Sequence, residues 1–429
     1  MAGRGLLRGR PTVTAVVSAP QRTGAIIAAL CVAEVFGMAG FSSFAALLPD
    51  FTREWALSNT EAGWIGGIYY AGYTAAVPVL VTLTDRIDPR RIYLLSTAIG
   101  GVACLGFAVL ADGFWTALIL RAIAGAGLAG TYMPGLKALT DRLEGTAQAR
   151  AVAYYTSGFG IGASTSYVFT GQLDLLFGWR GAFAAAALGS VAAYTIAAAA
   201  LRPVPPSHSH AAPSLIDFRP VLRNRAIIAC VIAYAAHNFE LFGFRSWIVA
   251  FLVFSAALPE HAAFGLDPTL IAAGVTILSL PGSVLGNEIA LKRGRRVTII
   301  GAMSLSALAA CFIGFAAPLP MAVLVPLTLL YAGLVSADSS ALTSSVVASS
   351  DPRYRGMTMA LYSSVGFVGA FLGPLAFGVA LDLVDGSVGA PSVVAWGIAF
   401  AVLGAGVAIG PLAFLLLRPR LGEVTRNAG

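Results

Sequence analysis

The stretch Glu61–Ala111, EAGWIGGIYYAGYTAAVPVLVTLTDRIDPRRIYLLSTAIGGVACLGFAVLA, decides the architecture. Two apolar segments, 61–84 and 91–111, flank the short charged loop Asp85–Arg91. About 20 apolar residues, each rising about 1.5 Å as helix, cross a hydrocarbon core about 30 Å thick. Lipid offers no partner for backbone N–H and C=O groups, so each segment must satisfy its own and reads as a helix. The pair predicts a membrane hairpin with a basic turn.

Working outward, the pattern recurs along the chain. Spans fall near 24–48, 61–84, 91–111, 114–137, 150–173 and 178–201, then near 226–256, 267–291, 297–316, 319–343, 355–383 and 392–417. The reading is an all-α integral membrane protein with twelve transmembrane helices. Composition agrees: 58% of residues are hydrophobic and 11% charged, against about 25% charged in soluble chains. The 48 glycines suit helices that pack closely in lipid.

The net charge of +7 would admit a nucleic-acid partner, but its distribution points elsewhere. Of the 27 Lys and Arg residues, all but Arg53, Arg121, Arg180 and Arg245 fall in tails or loops on one side of the twelve-span map. That asymmetry places both termini in the cytoplasm of a bacterial-type inner (plasma) membrane and argues against nucleic acid. Residues 1–23 read as a cytoplasmic tail without a cleavable leader, 24–201 as a first six-helix bundle, 202–225 as a cytoplasmic linker, 226–417 as a second bundle and 418–429 as a tail. His208 and His210 in the linker are a weak metal pair and read as ordinary polar residues. Cys31, Cys104, Cys230 and Cys311 lie in apolar stretches and read as packing residues. No cofactor and no metal is expected.

The halves echo one another. AII at 25–27 recurs at 226–228, the loop 85–91 has a basic counterpart at 292–296, and WRGAF at 179–183 is matched by WGIAF at 396–400. Two pseudo-symmetric six-helix bundles imply a site near the midplane, exposed alternately to each side.

The stretch Pro78–Arg91, PVLVTLTDRIDPRR, resembles the loop between helices two and three of the major facilitator superfamily, with Asp85, Arg86 and Arg90 on its pattern. Val81 and Asp88 replace its two glycines. Arg121–Gly125, RAIAG, resembles the family's span-four motif. The resemblance implies that Asp85 braces one end state against the start of span eleven, near Arg355; the loop also reads simply as a topogenic basic turn. Span five, GFGIGAST, lacks the proline of the family's drug-export motif, and Gly373-Pro374 lies in span eleven instead.

Charge inside a bilayer is costly, at least about 2.5–3.5 kcal/mol per residue on insertion scales, and marks function. Glu34 lies about 15 Å into span one, and Arg121 in span four is placed at a similar depth, so the two are expected to interact in some states. Span seven presents His237, Asn238, Glu240 and Arg245 on one arc, read as a cavity lining or as a network locking helices together. Arg245 is expected near the outer interface. Asp338 in span ten, among Ser336, Ser339 and Ser340, reads as part of an inner gate. Tyr69, Tyr70 and Tyr73, with Phe36 and Phe41, read as an aromatic wall or as packing.

These residues predict a secondary transporter, not an enzyme, that moves a small organic solute as a monomer, with protons as coupling ion. Glu34 and Glu240 are the carriers, with His237 the alternative. No phosphate-binding loop supports an ATP-driven pump. A multidrug or metabolite exporter of the same fold, and a non-transporting membrane receptor, remain open, as do substrate charge and direction.

Overall fold

The computed structural model describes residues 20–84, 86–204, 218–258, 265, 267–386 and 391–418. Asp85, most of both tails and the linker with His208 and His210 lie outside the described residues.

Twelve spans are present among the described residues. Span one runs as Pro20–Gly37, breaks at 38–42, and resumes in the short helices Ser43–Ala46 and Leu48–Glu54. Spans two, three and four are Asn59–Leu83, Pro89–Leu110 and Phe114–Thr140. Spans five and six form one helical run, Gly145–Ala200, broken at Gly178. The loop expected at 174–177 is helical; Gly178 alone turns the chain, with φ 68°, a backbone region that favours glycine. Spans seven, eight and nine are Arg225–Ala256, Pro268–Arg293 and Arg295–Ile313. Span ten is split into Met321–Ser336 and Ser339–Ser349. Spans eleven and twelve are Arg355–Asp385 and Val393–Leu417.

Polar side chains set where helices start. Ser58 and Glu61 close a full capping box at the head of span two, satisfying N–H groups that the helix itself leaves unpaired. Asp88, Asn224, Asp267 and Ser392 accept bonds from the first N–H groups of spans three, seven, eight and twelve. Asp88 is followed by Pro89, whose missing N–H costs nothing at a helix start.

Spans one to six pack against one another, as do spans seven to twelve. The halves meet where span two packs on span eleven and span five on span eight, pairs that the internal repeat makes equivalent. Glycine permits the contact: a Cβ on Gly67 would run into the Phe371 carbonyl, and one on Gly63 into the Pro374 carbonyl.

Let the far face be the one where spans one and two meet, at 54–59, and the near face the one where spans two and three meet, at 84–89. Toward the far face one apolar core is shared by both halves, with Phe44, Phe51 and Phe183 from the first and Trp247, Phe251 and Phe377 from the second. Toward the near face the cores are separate: Leu30, Tyr93, Leu139 and Tyr155 in one half, Ile227, Ile299, Leu342 and Phe414 in the other. Between them Tyr70 packs on Phe242 and Tyr73 stacks on Phe367, with ring centroids 4.4 and 4.2 Å apart. The bundles are therefore joined at the far face and parted toward the near one.

Polar bonds reinforce the far-face closure. Asp382 of span eleven accepts from Asn59 N (3.1 Å), Asn59 Nδ2 (2.8 Å) and Thr60 N (2.8 Å) at the head of span two. Gln172 Nε2 of span five donates to Asp267 at the head of span eight, at 3.0 Å.

Candidate functional site

Among the described residues, the buried charges inside the spans fall into three groups. Arg121, from span four, is 4% exposed. Its Nη1 and Nη2 donate to the Gly40 and Phe41 carbonyls at 3.3 and 3.4 Å, acceptors freed by the break in span one. Its guanidinium carbon lies 4.3 Å from the Tyr69 ring centroid, within cation–π range. Arg245, from span seven of the other half, is 9% exposed and donates through Nη2 to Ser279 Oγ at 3.0 Å. Both arginines line one chamber with Phe41, Tyr70 and Tyr167. The Tyr167 hydroxyl donates to the Arg245 carbonyl, tying span five to span seven. In this conformation the chamber admits at most about one water molecule.

The second group lies within the second half. His237 Nδ1 is 2.7 Å from Asp338 Oδ1, with both residues 2% exposed or less. Tyr234 stacks on Tyr362 at 3.9 Å beside them, and Asn238 is buried against Gly366. Glu240 Oε1 accepts from Ser306 Oγ at 2.6 Å and from Tyr331 OH at 2.9 Å.

Glu34 forms the third group on its own. It is 6% exposed, and neither carboxyl oxygen has a hydrogen-bond partner among the described residues. Its pocket is walled by Tyr93, Tyr132 and Tyr155, with Thr131 at one side. Gly158 faces the carboxyl, and a Cβ there would press on Oε2.

Several expectations change. Glu34 and Arg121 are not partners in this conformation. Arg121 reaches Gly40, six residues further along the chain than Glu34, a depth difference of about 9 Å if the rise were helical throughout. Arg245 is not an interfacial side chain but turns inward to the chamber. Asp338 is held by His237 rather than by its serines: Ser336 donates to the Ala332 carbonyl at 3.0 Å, and Ser340 pairs with Ser283 at 2.6 Å. Phe41 joins Tyr69 and Tyr70 in an aromatic wall, whereas Phe36 is 45% exposed.

At the near face Arg86 is exposed, while Arg90 donates through Nε to the Leu201 carbonyl at 2.7 Å and through Nη2 to the Ala198 carbonyl at 3.1 Å. The expected contact of Asp85 lies outside what the structure describes. Asp88 is the anchor here, taking the Val204 N–H at 2.9 Å and Arg142 Nη2 at 3.4 Å. Sequence reasoning treated Asp88 only as a lost glycine; Asp before Pro at a helix start was the readable signal. Asp382, Ser306 and Tyr331 were missed outright.

The Major Facilitator Superfamily profile matches residues 30–374. The chain belongs to the major facilitator superfamily. That superfamily is one of membrane transporters, not of enzymes. Human protein spinster homolog 1 is 22% identical over 291 residues, 63% of this chain and 55% of that protein. The niacin transporter NiaP of Acinetobacter baylyi is 21% identical over 305 residues, 62% of this chain and 67% of that one. The chain thus spans little more than half the length of the human relative. Among solved structures, a bacterial homolog of the human lysosomal transporter Spinster, inward-facing and occupied, superposes with a TM-score of 0.77 at 16% identity, over 96% of this chain and all of that one. A point mutant of the nucleoside transporter NupG gives a TM-score of 0.73 at 14% identity, over 91% of this chain and 99% of that one. At such identities the likeness is one of fold.

Proposed function

We propose that this superfamily member is a proton-coupled secondary transporter that carries a small organic solute by alternating access, with its near face and both termini in the cytoplasm of a bacterial-type plasma membrane. The observation that carries the reading is the asymmetry of the bundle contact: one shared core toward the far face, two separate cores toward the near face. A rocking pair of bundles needs such an arrangement in one end state and its mirror in the other. The likeness to the niacin transporter NiaP supports a small organic cargo.

Glu34 is the proton carrier in this reading. An ionised carboxylate without a donor loses several kcal/mol of hydration that nothing offsets, whereas a protonated one carries no such charge. Glu240 already has two hydroxyl donors, and the His237–Asp338 pair can exchange a proton within itself. This conformation therefore favours the protonated acid, and an end state that hydrates Glu34 would favour the ionised one; that difference is what would couple protonation to conformation.

The test is uptake into proteoliposomes under an imposed pH gradient, across a panel of organic acids, amino acids, sugars and lipophilic cations. One solute class should accumulate with the gradient, and Glu34→Gln should abolish accumulation while leaving solute binding in place. Accumulation that survives collapse of the gradient, and is equal in Glu34→Gln, rules the coupling out.

A further inference from the structure

The charge of the cargo stays open in the sequence because acids and bases both lie in the spans; the fold separates them. Glu34 sits in its own tyrosine pocket, Glu240 is bonded inside the second half, and Asp338 is paired with His237. The ionisable neighbours of Arg121 are Tyr69, Tyr70, Tyr167 and Cys104, and those of Arg245 are Tyr70, Tyr167 and His237. Neither has a carboxylate beside it. Two guanidinium groups, both at least nine-tenths buried, thus face one chamber without a counter-anion among the described residues.

Their existing bonds are weak for buried cations. Arg121 reaches two backbone carbonyls at long range and Arg245 reaches one serine. The Nε of each has no partner among the described residues. Desolvating a guanidinium costs several kcal/mol unless an anion or good acceptors face it, so the chamber is complete only with a negative ligand. The geometry also splits the pair between the bundles, one arginine on each side of the plane along which they rock.

We propose that the cargo is an organic anion whose carboxylate or phosphate bridges Arg121 and Arg245, with its apolar body against Phe41, Tyr70 and Tyr167. This rests on the transport reading above and adds the chemical class. Arginine suits the task because its planar fork binds an oxyanion through two parallel bonds. The bridging anion draws the halves together at the midplane, so it is bound most tightly in the state where both arginines reach it.

The experiment is melting of the purified full chain with benzoate, phenyl phosphate, benzamide and benzylamine, which share a ring and differ in charge. Benzoate or phenyl phosphate should raise the Tm, with the stronger of the two naming the head group, while benzamide and benzylamine leave it unchanged. Arg121→Gln and Arg245→Gln should each weaken anion binding by about 30-fold or more, the loss expected when one partner of a buried charge pair is removed. Arg121→Lys and Arg245→Lys keep the charge and lose the fork, so they should fall between. Their unliganded melting reveals any folding loss. Stabilisation by benzamide or benzylamine alone, by none of the four probes, or by anions equally in both Gln variants overturns the proposal. Anion binding without flux in proteoliposomes would instead sink the transport reading and leave the anion site standing; gradient-driven flux of a neutral or cationic solute would do the reverse.

Discussion

At the residue scale, the small position opposite Glu34 matters as much as the acid itself. Gly158→Ala should destabilise the protein by no more than about 1 kcal/mol, because the added methyl meets the Glu34 carboxyl, the movable end of a side chain, and a helical alanine offsets part of the clash. Adding Glu34→Ala should recover most of that loss in a thermal melt. Purely additive losses would mean that the two sites do not touch. The acid was legible in the sequence, and its neighbour was not. Glu34, Arg121, His237, Glu240, Arg245 and Asp338 are all buried, and a charge within an apolar run is visible by composition alone. Their partners depend on where each helix bends. Span one breaks at 38–42, which moves the carbonyls of Gly40 and Phe41 onto Arg121 and leaves Glu34 alone; the glycines at 37 and 40 were the signal.

At the scale of elements, helix existence was legible and helix interruption was not. Hydropathy and the capping box at Ser58–Glu61 follow from needs local to each helix, namely lipid contact and unpaired N–H groups. The split of span ten at Asp338 accompanies a contact with a distant span, the His237 pairing, which no local pattern encodes. The same holds for Asp382, which caps the head of span two from the other half. Removing it with Asp382→Ala takes away bonds to a charged acceptor worth about 1.5–3 kcal/mol. The far face should then open more often. Spin labels at positions 53 and 392 would read this as a population at longer distance, and an unchanged distribution would assign Asp382 to helix capping alone.

For the whole molecule, the repeat in sequence predicted the two halves, and the halves dictated the contact pairs of spans two with eleven and five with eight. Which end of that contact is closed is a matter of tertiary packing, unreadable from periodicity because both ends are equally apolar. The joint core at the far face has a consequence for speed. Phe44, Phe51, Trp247, Phe251 and Phe377 must part before that side can receive a solute, and each Å² of apolar surface so wetted costs about 25 cal/mol. In the alternating-access cycle proposed above, a carrier returning empty would meet this barrier with nothing in its chamber to help, so the unloaded return is expected to limit turnover. Labelled solute should therefore enter vesicles preloaded with the same unlabelled solute several-fold faster than it enters empty ones. Equal rates would put the slow step at binding or release, and would mean that the far-face seal opens as readily without cargo as with it.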